Sequence, residues 1–368
     1  MVGSVTDEMK PVSTEKEAAA VVQPTGEEAE SWTAAGAELH RLSQQGRAMT
    51  LLRDVTLLPV LVLLVVVSSL INPYFFGANN FWGIGQYASA IGLITAGEAL
   101  VLMIGSMDLS LGGTYGFAPM LAAWLVVPAS AFGAGIGLPA WVGLIVLVLA
   151  GAAVGLVNGL LIVKAHLSAF IVTLGMLIGL AGVQDGIVNG ETISALPTSF
   201  SYVGGSFWGQ VPVSLVATAV VFVAIGLFLR YRRAGRAIFA VGGNAVAARA
   251  AGINVDRVKI GVYMAAGVLA AMGGYLEMGR DAAITASQGY DESVIFIAFA
   301  SAVIGGVSLL GGKGNMIGVA TGVLVLAVVQ NILDLQNVNV FWEQAVYGLV
   351  ILIALVVARV IGDKETQT

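Results

Sequence analysis

The 368-residue chain contains no cysteine, and only 11% of its residues carry a charged side chain. Without cysteine the chain can form neither a disulfide bond nor a thiolate metal site, and it has no cysteine nucleophile. The two histidines, His40 and His166, are too few and too far apart in the sequence to suggest a metal cluster. Soluble globular proteins have about 25% charged residues. This deficit, together with 58% hydrophobic residues, indicates a surface that mostly faces lipid.

Catalytic and nucleotide-binding patterns are also missing. A serine–histidine–aspartate site would have to use His166, which follows Lys164 at a predicted membrane edge, so an enzyme is the least favoured class. The segment 306–314 resembles a phosphate-binding loop, but Val307 stands where glycine is required and Gly314 replaces the serine or threonine. We therefore expect no cofactor in this chain, and any ATP must be bound by another chain. The basic residues form no stripe interleaved with aromatics, which argues against nucleic-acid binding.

Long apolar runs fill most of the sequence. A membrane-crossing helix needs about 20 apolar residues, and the runs predict an all-α polytopic membrane protein with about ten transmembrane helices. Residues 1–53 are polar and acidic and predict a disordered or interfacial tail, residues 54–362 a transmembrane domain, and residues 363–368 a short tail. The ten predicted spans are residues 55–71, 81–105, 111–127, 138–163, 168–188, 211–229, 258–279, 294–310, 315–333 and 341–361.

The positive charges fix an orientation for these spans. Lysine and arginine favour the cytoplasmic ends of transmembrane helices. If both termini are cytoplasmic, Arg280 is the one basic residue of 17 that falls on the outer side. The opposite orientation would place the arginines of the 230–257 loop outside. We therefore predict that both termini are cytoplasmic.

Small residues recur at every fourth position in two spans. Such ridges let helix backbones approach closely, because lipid supplies no hydrophobic drive for helix packing. Packing within the chain is favoured over a seam between two copies. A faint repeat also relates residues 104–113 to residues 304–312. The two ridges are Gly151, Gly155 and Gly159, and Gly314, Gly318 and Gly322.

Few polar residues lie within the spans. Glu98 is the one acid well inside a predicted span, where a charge costs about 2.5–3.5 kcal/mol on insertion scales. It is a candidate for the translocation path, or it hydrogen-bonds a neighbouring span. Asp108 and Ser110 stand between two spans and are expected first to cap a helix. Asn158 is expected to hydrogen-bond across helices, and Glu277 to be solvated near an outer span end.

The basic loop is the main functional lead, because seven of the basic residues lie between Arg230 and Lys259. Within it, Asn244 can cap a short alanine-rich helix that stops at Gly252. A short helix held between two spans is a lever that a soluble motor domain could push. The plainer interpretation is an anchor that obeys the positive-inside rule.

This loop and five other segments resemble the permease family of sugar ABC importers of the ribose and xylose type. The likeness extends in order from about residue 55 to residue 360, and the combination of motifs is specific although no single one is. The segments are NVDRVK at 254–259, MDLSLG at 107–112, VNGLL at 157–161, AFIVTLG at 169–175, IGGVS at 304–308 and GGKG at 311–314.

The resemblance implies a bacterial cytoplasmic-membrane protein that acts with three partners. These are an ABC ATPase subunit, an extracytoplasmic sugar-binding protein and a second copy of the chain. Residues 243–252 would be the helix that docks on the ATPase, and residues 189–210 and 280–293 would face the binding protein. The expected ATPase-coupling residues are Arg236, Gly242, Gly243, Asn244, Ala248, Arg249 and Gly252. The expected translocation-path residues are Glu98, Asp108, Ser110, Phe170 and Thr173.

Two transport alternatives stay open at this point. An ion-coupled secondary transporter would use Glu98 as its proton or sodium site. A related ABC permease would carry a branched-chain amino acid instead of a monosaccharide or polyol. The low fixed charge inside the spans favours an uncharged cargo.

Overall fold

A computed structural model describes residues 57–289, 294–339, 342–343, 345–349 and 352 of this chain. All of them belong to the second of two units into which the chain divides, Asp54–Thr368. The predicted tails, residues 1–53 and 363–368, lie outside the described residues, and so does most of the predicted span 341–361.

Helices dominate the described part of the chain. A two-stranded antiparallel ribbon, β1 (Phe207–Trp208) and β2 (Val211–Pro212), interrupts them. The helices are α1 (Leu58–Ile71), α2 (Ala78–Met103), α3 (Ser110–Val126), α4 (Ala140–Val163), α5 (Ala169–Val188), α6 (Thr198–Gly205), α7 (Val213–Tyr231), α8 (Arg233–Gly243), α9 (Ala245–Ala250), α10 (Val255–Asp281), α11 (Val294–Ile304) and α12 (Met316–Leu335).

The helices confirm the prediction of an all-helical polytopic membrane protein. Among the described residues, six helices are long and apolar enough to cross a membrane: α2, α4, α5, α7, α10 and α12. Helices α1 and α11 are apolar but shorter. Each of the first nine predicted spans overlaps one of these helices or α3. Helix α2 is continuous over 26 residues.

Helices α2 and α10 form the centre of the bundle. Helix α10 packs along α4, α2, α3 and α6, while α2 also contacts α11, α12 and α7. Residues 88–103 of α2 are all buried, and many of them are glycine, alanine, serine or threonine. Small side chains let neighbouring backbones approach from several directions. In contrast, only four residues of α5 and four residues of α7 are buried. They are Thr173, Leu180, Gln184 and Val188 in α5, and Val213, Ser214, Thr218 and Leu229 in α7.

Both glycine ridges pack within the chain, as predicted. Gly151 faces α10, where a Cβ atom at this position would lie 2.5 Å from the carbonyl oxygen of Gly267. Gly155 and Gly159 continue this contact along the backbone of α10 at Tyr263 and Ile260. The ridge of α12 packs in the same way. Gly318 lies against Gly305, which follows the end of α11, and Gly322 lies against Ser301 of α11. Backbone contacts of this kind hold the bundle together where lipid supplies no hydrophobic drive.

Candidate functional site

The loop between α7 and α10 folds into two short helices, α8 and α9, joined at Asn244. The Oδ1 atom of Asn244 accepts the backbone N–H groups of Val246 and Ala247 at 3.0 and 2.9 Å, which satisfies donors that the start of a helix leaves unpaired. Helix α9 ends before Gly252, whose φ of +82° is a left-handed conformation that glycine adopts without strain. The predicted short capped helix is confirmed.

Helix α9 has one buried and one exposed side. Ala248 is buried in a small apolar cluster with Val241 and Val255, so α9 is fixed to the end of α8 and the start of α10. On the opposite side, the Val246 side chain is 78% exposed. A partly buried helix with a large exposed apolar side chain can transmit a force applied at its outer side to the helices beneath it.

Polar contacts fix the ends of this loop. Arg236 donates a 3.0 Å hydrogen bond to the carbonyl oxygen of Tyr231, one of the carbonyl groups that the end of α7 leaves unpaired. Asp256 pairs with Lys164 at 2.7 Å and with Arg249 at 3.6 Å. The hydrogen bond from Lys164 lowers the pKa of the Asp256 carboxyl. These ion pairs join α9 and α10 to the end of α4.

A junction of glycines places the end of α8 directly on two other loops. A Cβ atom at Gly242 would overlap the carbonyl oxygen of Met103, the last residue of α2, and would lie 2.6 Å from the nitrogen of Gly312. Gly312 itself donates a 2.9 Å backbone hydrogen bond to the same Met103 oxygen. The Gly243 position faces open space, with no described heavy atom within 4 Å of a Cβ placed there.

The same junction brings together the two segments of the faint repeat. A Cβ atom at Gly311 would lie 2.7 Å from the nitrogen of Gly105 and 2.8 Å from the carbonyl oxygen of Gly242. Gly105 and Gly311 have φ angles of +72° and +84°, which allow the backbone to turn at this contact. The repeat was the one signal of this contact in the sequence, and it did not show that the two segments meet.

Three of the predicted path residues, Glu98, Asp108 and Ser110, lie together in a buried polar cluster. Asp108 Oδ1 accepts the backbone N–H of Ser110 at 3.0 Å and the Ser110 hydroxyl at 2.5 Å, so Asp108 caps the start of α3 as expected. Ser110 does not cap; its Oγ accepts a 2.6 Å hydrogen bond from Asn158 Nδ2 of α4. Glu98 of α2 is buried beside Asp108, close enough for the two carboxyl groups to interact electrostatically. The cluster therefore joins α2, α3 and α4.

The other two predicted path residues, Thr173 and Phe170, lie on α5. Thr173 is buried, and its hydroxyl donates to the carbonyl oxygen of Ala169 at 2.8 Å, a bond within its own helix. Phe170 is 50% exposed. Thr173 is therefore on the packed side of α5, whereas Phe170 is on its exposed side.

The prediction that Glu277 is solvated is wrong. Glu277 is buried, and its carboxylate lies 3.6 Å from the Arg280 guanidinium. Arg280 also pairs with Asp281 at 2.8 Å and lies over the Tyr87 ring at 5.8 Å. Position near the end of a predicted span does not reveal which face of the helix a residue occupies, and Glu277 lies on the packed face of α10.

Sequence comparisons assign this architecture to a known family. The family model described as "Branched-chain amino acid transport system / permease component" matches residues 81–355. The ribose import permease protein RbsC of Escherichia coli (strain K12) is 36% identical over 83% of this chain and 94% of its own length. RbsC of Bacillus subtilis (strain 168) is 33% identical over 81% of this chain and 90% of its own.

A third relative has a different sugar in its name. The galactose/methyl galactoside import permease protein MglC of Haemophilus influenzae (strain ATCC 51907 / DSM 11121 / KW20 / Rd) is 30% identical over 85% of this chain and 96% of its own length. No solved structure matches this chain.

Proposed function

Because this chain belongs to the family of ABC importer permease components, we propose that it carries a monosaccharide or related polyol with energy from a separate ATPase. The chain is the membrane subunit of a sugar ABC importer, a multi-pass inner-membrane transporter component rather than an enzyme. The curated relatives are named for ribose and for galactose, so the sugar alternative is favoured over a branched-chain amino acid.

The proposed coupling between the ATPase and this chain is supported by one observation, the capped helix α9 with one buried and one exposed side. We propose that the ATPase docks on the exposed side at Val246 and Arg249, while Asn244 and Gly252 set the limits of the helix. ATP-driven closure of two ATPase subunits would then push α9. Gly242 and Gly243 precede α9 in the chain. The contact of Gly242 with Met103 would pass the movement of α9 to the end of α2.

The proposed topology has ten spans with both termini in the cytoplasm, and residues 54–362 form the transmembrane domain. The loop of α8 and α9 is then cytoplasmic and Arg280 is extracytoplasmic. Two outer segments, 189–210 and 280–293, would contact the sugar-binding protein. Ile193 and Ile284 exchange backbone hydrogen bonds of 3.0 and 2.8 Å, which join these two segments into one surface.

The exposed face of α5 supports the proposed homodimer. Like the packed ridges, this face carries regularly spaced glycines, but its glycines face open space. A Cβ atom added to any of them would meet no described heavy atom within 4 Å. Phe170 and Ile178 are exposed on the same helix. A second copy would supply the backbone that such a ridge accommodates. The glycines are Gly175, Gly179, Gly182 and Gly186.

We place the translocation path between the two copies, with Phe170 at its wall. The Thr173 hydroxyl is already used in a hydrogen bond within its own helix. Glu98, Asp108 and Ser110 would act by fixing the arrangement of α2, α3 and α4 rather than by contacting the cargo, because all three are buried inside one chain.

The dimer predicts a disulfide cross-link through α5. Because the natural chain has no cysteine, Ile178→Cys introduces a single thiol at a position that is 65% exposed. Under oxidation in native membranes we expect a band at twice the 37.7 kDa chain mass, since two thiols at a symmetric seam can reach bonding distance. Leu149→Cys on α4, at a position that is 62% exposed, is the matched control and should stay monomeric. Equal cross-linking of both variants would contradict the α5 seam.

Reconstitution tests the function itself. The chain is placed in liposomes with its ATPase, with ATP inside the vesicles on the ATPase side and the sugar-binding protein outside. We expect labelled ribose or a related monosaccharide to accumulate only when ATP and an intact ATPase are present. The ion-coupled alternative predicts accumulation by the chain alone under a proton or sodium gradient, abolished by Glu98→Gln. Uptake without the ATPase would refute the proposed function.

A further inference from the structure

A long groove separates α7 from α12. It encloses about 800 Å³, and the two helices form its walls while Ala88 and Ser89 of α2 form its floor. Its lining runs along α7 from Leu215 to Arg230, which is about 22 Å at the usual rise per residue of an α-helix. One leaflet of a bilayer core is about 15 Å thick. The groove is therefore long enough for an extended hydrocarbon chain.

The side chains that line this groove are mostly apolar, and its serine and threonine hydroxyl groups already donate hydrogen bonds to backbone carbonyls. Ser89 donates to the carbonyl oxygen of Gly85 at 2.6 Å, and Thr218 donates to that of Ser89 at 3.2 Å. Thr321 donates to the carbonyl oxygen of Ile317 at 2.9 Å. A sugar buried here would exchange its water hydrogen bonds for few protein partners, which is costly. A hydrocarbon chain has no such cost.

One end of the groove is basic. Arg230 lines it there, with its guanidinium 5.5 Å from the centre of the Tyr231 ring. Arg232 and Arg233 follow immediately in the chain and are exposed. The start of α12, with Asn315, lines the same end. In the proposed topology this end lies at the cytoplasmic surface, where anionic headgroups attract basic side chains.

From these observations we infer that the groove between α7 and α12 binds an anionic phospholipid. One acyl chain lies along Phe222 and Val223, and the headgroup phosphate pairs with Arg230. The site is open to the bilayer, because Val223 and Leu227 of α7 and Ile317 of α12 are all more than half exposed. The groove therefore combines an apolar channel with a positive end, which matches a phospholipid of negative charge.

Native mass spectrometry of the purified chain tests this site. The chain is incubated with vesicles of palmitoyl-oleoyl phosphatidylglycerol or of palmitoyl-oleoyl phosphatidylcholine. We expect the wild-type chain to retain about fivefold more phosphatidylglycerol than phosphatidylcholine. Arg230→Gln should remove this preference. Arg233→Gln, which changes an exposed arginine outside the groove lining, should keep it. Added inorganic phosphate should displace no lipid, because a free anion does not fill the apolar part.

Two tryptophan variants separate the groove from the general lipid-facing surface. Ala219→Trp fills the groove and should lower retention of both lipids, whereas Ala224→Trp lies exposed on the same helix outside the lining and should not. Size-exclusion profiles establish that each variant is folded. Equal retention of the two lipids by wild type would overturn the proposal. So would disulfide-linked dimers of Val223→Cys, which would show that a second copy occupies the groove.

Discussion

We expect Gly242→Ala to lower sugar uptake at least about tenfold, and Gly243→Ala to lower it far less. A methyl group at Gly242 would overlap the carbonyl oxygen of Met103 and lie 2.6 Å from the nitrogen of Gly312. Those two atoms share the 2.9 Å hydrogen bond that closes the junction, and backbone atoms cannot rotate away. Overpacking of this kind costs about 1–3 kcal/mol. The junction should open, and α8 should lose its fixed contact with α2.

Gly243→Ala is a closely matched control. Both glycines lie in the last turn of α8, so alanine changes the local helix propensity in the same direction at either position. The two positions differ in the free space around an added methyl group, because a Cβ atom at Gly243 meets no described heavy atom within 4 Å. The measurements are the melting temperature of the purified chain and ATP-driven uptake in liposomes. We expect Gly242→Ala to lower uptake at least about tenfold, as an overpacked junction would. Equal uptake by the two variants would show that the junction does not transmit the movement.

Local chemistry explains why much of this fold could be predicted from the sequence. Apolar runs of membrane-crossing length require helices, because a lipid-exposed backbone has no other way to pair its N–H and C=O groups. Asn244 and Gly252 limit α9 because one caps a helix start and the other accepts a left-handed conformation. Each of these signals lies within a few residues of its effect.

Contacts between distant segments could not be predicted in this way. The glycines of α4 and α5 have similar spacings, yet Gly151 and Gly155 pack on α10 while Gly175 and Gly179 face open space. Spacing places residues on one face of a helix but does not say what that face meets. The same reason explains the error at Glu277. It also explains why the sequence predicts Glu98, Asp108 and Ser110 as path residues but does not reveal their contacts with each other.

The second large effect is expected at Val246, where Val246→Asp should abolish binding of the ATPase without unfolding the chain. Val246 is 78% exposed, so its replacement loses little packing inside the subunit. It is the second residue of α9, where an acidic side chain interacts favourably with the positive end of the helix. Helix α9 should therefore persist. A buried aspartate in the docked complex would instead have to lose its water without a partner.

The measurement is co-purification of the ATPase with tagged chain, followed by melting of the chain alone. If Val246 is a hot spot of this interface, its replacement lowers the binding free energy by about 2 kcal/mol or more, which is roughly thirtyfold in affinity, so the ATPase should be lost on washing. Val246→Ile keeps the apolar surface and should retain it. Ala240→Asp places the same charge at an exposed position of α8 and should also retain the ATPase if α9 is the docking element.

One outcome would contradict docking on α9. The buried Ala248 fixes α9 to the chain, so the helix should persist in the Val246→Asp variant. If this variant melts like wild type and still binds the ATPase, the docking site lies elsewhere. The exposed Leu310, beside the glycine junction, would then be the next candidate.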